Sequence, residues 1–355
     1  MSLKTVWLFR RLFSAILVGL GGLFASMTLG MTGCVSRSES DVVVYSALDE
    51  EFAAPILASF ERSTDHEIGV IGKFDIESTK TVGLANQLIA EAESPRCDLF
   101  WNNEIMHTVR LQKLGLLEPH DWDVPSTWPT DMLASDGTWC GFAARARVLL
   151  INTDLLAQKE NWPSQVAELA DPKWSQRCAM ARPLFGTTAT HFAVLRDLLG
   201  PDAAFDLLQQ IHDNAVILSG NKQVAQAVSS GKVAWGLTDT DDAIIEKDLG
   251  YPVAIVYPDQ LPDQPGTLRI PNTLARIKNS PHPIASGVLA NFLMTPEIED
   301  RLAMGRSSQL PISKDSKFPP AVLPDEPVRW MRVDFEAAAE GWDEWAKTLA
   351  DLFAN

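Results

Sequence analysis

Hydrophobic and polar positions recur along this chain with two periods, and the periods take turns. Asp41 to Ser46 (DVVVYS) is a short apolar run that predicts a strand. From about Asp49 to Glu61 the apolar positions fall at helical spacing. Strands are then predicted at Ile68–Gly72 and Cys97–Trp101, and helices at Thr79–Ala92 and Glu104–Lys113. Asp121 to Asp136, rich in Pro, Trp and Asp, predicts a surface loop. Val148 to Ile151 is a strand running into Asn152-Thr153-Asp154, a helix start. After Pro163 to Ser175 the alternation resumes, with strands at Ala179-Met180 and Ala215–Leu218 and helices at Thr188–Leu199, Pro201–Asp213 and Lys222–Ser229. Strands alternating with helices predict parallel βαβ units.

The last third departs from that rhythm. Pro252–Pro258 and Thr267–Ile277 predict strands, with Pro262, Pro265 and Gly266 between them as a crossing linker. Two helices follow, at Ile284–Met294 and Pro296–Met304. Trp342, Trp345 and Leu349 then mark an amphipathic helix expected to dock on its own domain. A forward crossing near Ala144 to Asn152 and a return near Gly266 predict two α/β lobes with a ligand cleft between them. The expected division is a signal segment 1–33, a tether 34–40, lobe 1 over 41–146, lobe 2 over 147–262, and 263–355 returning to lobe 1 with the C-terminal helices.

Val233 to Ala243 (VAWGLTDTDDA) concentrates the chemistry. A buried strand ends there and a helix begins, which is where ligands sit in open α/β sheets. Asp239, Asp241 and Asp242 lie within four positions. Helix capping accounts for one such carboxylate and leaves two for a ligand.

Composition changes the picture at two points. The net charge of −16 excludes nucleic acid as a partner. Lys4, Arg10 and Arg11 precede an apolar segment, Leu12 to Met31, that closes on small residues before Cys34. That order is the grammar of an export signal. Thr32-Gly33-Cys34 resembles a lipoprotein cleavage box, which would make Cys34 the lipidated first residue and place the protein outside the cytoplasm on a lipid anchor. An uncleaved membrane anchor and a twin-arginine signal are the alternatives. Cys97, Cys140 and Cys178 remain, an odd number for an oxidising compartment; they read as small buried hydrophobes that can form one disulfide at most.

The segments VVVYSALDEEFAAPILASFE, CDLFWNNEIMHTVRLQKLGLLEP, RARVLLINTDLL, DPKWSQRC, PLFGTTATH, GKVAWGLTDTDDA and GTLRIPNTLARIKNSPHP occur here in one order, from about Val42 to Pro311. In that order the chain resembles the substrate-binding proteins of bacterial ABC importers, in their ferric-iron-binding branch. The resemblance implies a bilobed periplasmic binding protein of type 2-like α/β fold, two lobes joined by two crossing strands. It implies a monomer that captures a small ligand, delivers it to a permease and catalyses nothing. Iron-binding members use a His, a Glu and two adjacent tyrosines. Asp49 stands at the His position, Glu104 at the Glu position, and Asp241 and Asp242 at the tyrosine pair. By this carry-over Asp49, Glu104, Asp241 and Asp242 are the candidate metal ligands, for Fe³⁺ or a divalent cation. The chain has three tyrosines, Tyr45, Tyr251 and Tyr257, and none falls at the site. Carboxylates without phenolate suit Ca²⁺, Mg²⁺ or Mn²⁺ as well as iron. The family's synergistic-anion turn matches Gly186, Thr187 and Thr188, at a helix N-terminus where an anion is favoured. Arg145 matches a cleft-facing basic residue, with Arg147 of the same strand parity as its substitute; Asn221 is a further candidate.

Two other chemistries fit the same residues. A zwitterion such as an aminophosphonate or amino acid would set its amine on the aspartates and its acid group on Thr187, Thr188 and Arg145. A polyamine or thiamine-like cation would use the acids and leave Arg145 idle. Asp239-Thr240-Asp241 also has the form of the Asp-x-Asp pair of phosphoryl-transfer hydrolases, but it follows several βα units where that pair belongs on the first strand. The same stretch fails as a calcium loop, with Ile244 where Gly and Gly250 where Glu is needed.

Overall fold

The computed structural model of the chain describes residues 41–75 and 81–353. The expected signal segment, tether and Cys34 lie outside the described residues. Described elements begin with β1 (Val42–Ser46), α1 (Glu50–Ser63), β2 (Val70–Phe74), α2 (Val82–Ala90), β3 (Leu99–Asn102), α3 (Met106–Lys113) and β4 (Leu117–Glu118). A long strand, β5 (Trp139–Asn152), leads to β6 (Cys178–Ala181), α4 (Gly186–Leu199), α5 (Pro201–Asn214) and β7 (Val216–Leu218). Next come α6 (Asn221–Ser229), β8 (Trp235–Asp239), α7 (Thr240–Asp248), β9 (Val253–Val256) and β10 (Arg269–Ile277). The chain closes with α8 (Pro283–Leu293), α9 (Pro296–Met304), α10 (Phe335–Ala338) and α11 (Trp342–Leu352).

Strand order is β2-β1-β3-β10-β5-β8-β6-β7, with β4 beside β10 and β9 beside β5. β1, β2 and β3 run parallel, as do β6, β7 and β8. The inner strands β1, β3, β6 and β8 are buried along their whole length, as strands covered on both faces are, while the edge strands β2 and β7 are not. β5 belongs to both sheets. Its first part pairs antiparallel with β10 from Trp139 to Ala146, and its second part with β8 and β9 from Arg147 to Asn152. All 14 residues of β5 are buried. The sheets on either side of this strand are the two lobes.

The crossing has a kink of its own. Ala143 adopts φ 40°, in the left-handed region that a residue with a Cβ avoids. Its N–H donates to the buried Glu299 carboxylate at 2.7 Å, which also takes the N–H groups of Ile312 and Ser313. Opposite, the β5–β10 register shifts between Ile270 and Asn272.

Cys97, Cys140 and Cys178 are buried and free, as their reading as small buried hydrophobes expected. Two expectations are corrected. The Asp121–Asp136 segment is more than surface: Trp128 and Met132 are buried, and the Trp128 indole donates to the Gly141 carbonyl at 3.0 Å. The C-terminal helices do not dock on one lobe. Trp342 packs edge-on against His107 of α3, and Asp343 pairs with Arg110 of the same helix. On the other lobe Arg196 of α4 lies over the Trp345 ring, and Phe353 meets His212 of α5.

Candidate functional site

A cavity of about 130 Å³ is walled by both lobes. Asp49, Phe52, Asn103 and Arg306 come from the first, and Arg145, Gly186, Thr187, Thr188, Asn221, Asp239, Asp241 and Asp242 line it from β5 and the second lobe. Three helices of the second lobe begin here. α4 opens at Gly186, whose φ of 63° suits glycine, so Thr187 and Thr188 fall in its first turn. α6 opens at Asn221, and α7 follows Asp239 at its N-cap with Asp241 and Asp242 in the first turn. Each start leaves backbone N–H groups without a partner inside its own helix. The first-turn acids of α7 are favoured there by the helix dipole.

The register of β5 against β8 places Arg147 directly opposite Asp239. Both are fully buried, and Arg147 Nη1 lies 2.5 Å from Asp239 Oδ1. The same guanidinium donates to Thr187 Oγ1 and Thr188 Oγ1, each at 3.1 Å. Thr187 Oγ1 itself donates a hydrogen bond to Asp239 Oδ2 at 2.5 Å. Asn221 Nδ2 donates to Thr187 Oγ1 and Asp239 Oδ2, both at 2.9 Å, and its Oδ1 accepts from Thr188 at 3.0 Å. Both threonine hydroxyl protons are therefore committed inside this network. What the α4 turn offers an anion is its backbone N–H groups, not its hydroxyl hydrogens.

Arg145, two residues earlier on the same face of β5, reaches the outer acids. Its Nη1 lies 3.2 Å from Asp241 Oδ2 and 4.0 Å from Asp239 Oδ2. Burial works against its charge, but Asp241, then Asp239, Asp242 and Asp49, outweigh burial and hold its proton more tightly than usual. Its Nε and Nη2 are buried with no hydrogen-bond partner among the described residues. Both arginines thus serve the site, in different layers.

Among the described residues one group of acids could hold a metal ion: Asp239, Asp241 and Asp242 offer oxygens within 4.8 Å of one another. This group is not the expected quartet. Asp49 lines the cavity at the start of α1 but stands outside the group. Glu104 is neither in the group nor in the lining. Its carboxylate folds back onto α3 and accepts from the N–H groups of Met106 and His107, at 2.5 and 3.1 Å. Asn102 Nδ2 and, from the other lobe, Thr190 Oγ1 complete it, both at 2.9 Å. The orphan N–H groups of α3 have taken an acid that the resemblance assigned to metal. Beside it, His107 and His191 are held neutral, chiefly by burial.

A family profile described as bacterial extracellular solute-binding protein matches residues 94–338. A Fe(3+)-binding periplasmic protein of Serratia marcescens is 26% identical over 215 residues, 61% of this chain and 61% of its own. The match spans less than two thirds of that relative's length. Iron-bound HitA from Pseudomonas aeruginosa superposes with a TM-score of 0.76 at 23% identity, covering 88% of this chain and 99% of its own. The periplasmic binding protein AfuA from Actinobacillus pleuropneumoniae, with exogenous fructose-6-phosphate bound, gives 0.74 at 18% identity, covering 89% and 99%. The bilobed α/β fold is theirs as well, and the chain belongs to the family of bacterial extracellular solute-binding proteins.

Proposed function

We propose that this protein is the extracytoplasmic substrate-binding component of an ABC importer. It captures a small hydrophilic ligand between its lobes and presents the closed form to a permease, with no bond made or broken. The observation that carries this reading is a cavity lined from both lobes, with the oxygens of Asp239, Asp241 and Asp242 within 4.8 Å beside helix N-termini. Those groups suit a metal cation held with an anion, and the names of the Serratia and Pseudomonas relatives point to iron. Without a tyrosine in the lining the site is not restricted to Fe³⁺, and Mn²⁺ or Ca²⁺ meets the same oxygens.

A second ligand chemistry has one observation in its favour. Arg145 already sits against Asp241 at 3.2 Å, so cationic and anionic partners are both built into the cleft. A zwitterion of aminophosphonate size would match both.

Ligand binding is expected to draw the lobes together through its greater affinity for the closed form. Native mass spectrometry with elemental analysis of protein purified from its own host identifies what it carries. Small-angle scattering with and without that ligand should show compaction, and an unchanged radius would end the receptor reading. We further propose that Cys34 carries the lipid anchor. Cys34→Ala should abolish incorporation of labelled fatty acid, and normal labelling of that variant would remove the anchor from the proposal.

A further inference from the structure

We propose that α10 and α11 form a strap across the two lobes, and that its grip on α3 holds the lobes in the apposed arrangement that walls the cavity. The inference rests on the reading of the cleft as a ligand site that closes. The strap is held unequally at its two lobes. On the second lobe its contacts are buried: Trp345, Leu349 and Phe353 share an apolar cluster with Phe192 and Leu195 of α4. Arg196 of α4 donates to the Glu340 carbonyl at 2.8 Å and lies over the Trp345 ring. Gly341, at φ 68°, turns the chain between α10 and α11 against that guanidinium, and a Cβ there would stand 2.8 Å from Arg196 Nη2. On the first lobe the grip is more exposed. Gln112 Nε2 donates to Glu336 Oε1 at 3.2 Å, and Lys113 Nζ to the Glu336 carbonyl at 3.0 Å. Arg110 Nε stands 3.4 Å from the Asp343 carboxylate, which is 81% exposed. The Trp342 ring is buried edge-on to His107, and neither ring nitrogen of His107 has a hydrogen-bond partner among the described residues.

Both gripped helices begin beside the cavity. Asn103 lines it just before α3, and Thr187 and Thr188 line it in the first turn of α4. Arg196 lies about two and a half turns beyond Thr187, roughly 13 Å further along the helix axis. The strap therefore ties α3 to α4 away from the ends that line the cavity, and no residue of α10 or α11 lines it. A swing of one lobe against the other about β5 and β10 shifts α3 relative to α4. A segment fastened to both cannot follow both, so it slips where it is held less firmly. Exposed ion pairs hold weakly, whereas buried aromatic and aliphatic side chains hold strongly. The Trp342–His107 contact has no hydrogen bond from the imidazole to fix it, so the rings can slide past each other. Hence α11 travels with the second lobe and slips over α3. The engaged strap coincides with a cavity walled from both lobes, so each contact it makes with α3 adds weight to that arrangement. A ligand that needs both walls then binds with an apparent affinity set by the population in which the strap is engaged.

The test is small-angle scattering on the intact chain without ligand, joined to calorimetry with Mn²⁺. Trp342→Ala removes the buried contact with α3. The double variant Glu336→Ala with Asp343→Ala removes exposed contacts and leaves the apolar packing of α11 in place, so it reports even if Trp342→Ala does not fold. Trp342→Ala should have a larger ligand-free radius of gyration than wild type and weaken Mn²⁺ binding on the order of tenfold, within the usual range of coupling between remote sites. The double variant should move both readouts in the same direction by less. A strap that only stabilises the fold would lower the melting temperature and leave the ligand-free radius where it is. An unchanged or smaller radius in the double variant, or tighter Mn²⁺ binding in either variant, overturns the inference. The radius requires no ligand, so it decides the matter whether or not Mn²⁺ is the cargo. If the variants match wild type in radius while the host-derived ligand still compacts the wild type, the strap fails and the receptor reading stands.

Discussion

Two arginines stand two residues apart on one face of one strand, and the chain treats them differently. Arg147 meets Asp239 across the β5–β8 ladder and spreads its Nη atoms over three partners. Only its Nε lacks a partner among the described residues. Arg145 holds the edge of Asp241 and leaves two buried nitrogens without a partner. The first pair is enclosed by Thr187, Thr188 and Asn221, which fix its geometry from every side. The second opens on the cavity. Charge and burial are nearly equal, so neither separates the enclosed arginine from the cavity-lining one. The count of committed hydrogen bonds does.

The largest effect that can break this contrast is expected from Arg147→Ala. It leaves the buried Asp239 with only the more distant Arg145, at 4.0 Å, as a counter-charge and takes one donor from each threonine oxygen. Removing one partner of a buried pair costs about 3–5 kcal/mol. A denaturant midpoint within experimental error of wild type would show that the inner pair is not structural. Glu104→Ala ranks next. It removes the acceptor of four hydrogen bonds, two of them from the first turn of α3. A loss of roughly 2–3 kcal/mol is expected, from stranded donors and a lost cap. Intact stability in that variant would return Glu104 to the list of ligands.

Asp259 sharpens the comparison from the other side, as a buried acid with no ion pair among the described residues. Burial, only partly offset by a backbone hydrogen bond at Val166 and by Arg329, pushes its carboxyl up to about 6. A raised folded pKa means that the native state holds the proton longer than the unfolded chain. Its contribution is therefore complete below about pH 4, the unfolded value, and is lost as pH rises to about 6. The neutral His107 and His191 act in the opposite sense, losing stability as pH falls below their unfolded value. The readout is thus a difference: Asp259→Asn should gain on wild type by roughly 1–3 kcal/mol between acid and neutral pH. Parallel pH curves for the two proteins would refute the raised value. The smallest stability effect belongs to Arg145→Ala. It deletes a buried cation with unserved donors, and Asp241 retains some solvent contact, so stability should move by less than about 1 kcal/mol. A loss matching that of Arg147→Ala would erase the distinction between the two.

The sequence made the frame legible because the frame rests on local periodicity. The alternation that predicted βα units reappears as β1 to α7, and the crossings expected near Ala144 to Asn152 and Gly266 lie beside β5 and β10. VAWGLTDTDDA does end β8 and start α7, and its three aspartates do gather. The hydrogen-bond economy was not legible. Nothing in the order of residues says that Asn221 will hold both threonines, or that Arg147 will lie inside and Arg145 outside. Those follow from register and from which helix starts converge, which are tertiary facts. Glu104 left one readable signal: an acid two residues before a helix start is placed to cap it. The resemblance to iron ligation outweighed that signal. The C-terminal helices show the same limit. Their amphipathic pattern predicted a buried face but not that α3 and α4 would both supply it.

One strand links the thermal fates of the two halves. Because β5 lies between β10 on one side and β8 and β9 on the other, neither sheet can melt without stripping the other of a member. The two sheets are therefore expected to unravel as one cooperative unit, and the closure proposed above would have to bend this shared strand, where Ala143 already departs from extended geometry, rather than loosen the packing of either half.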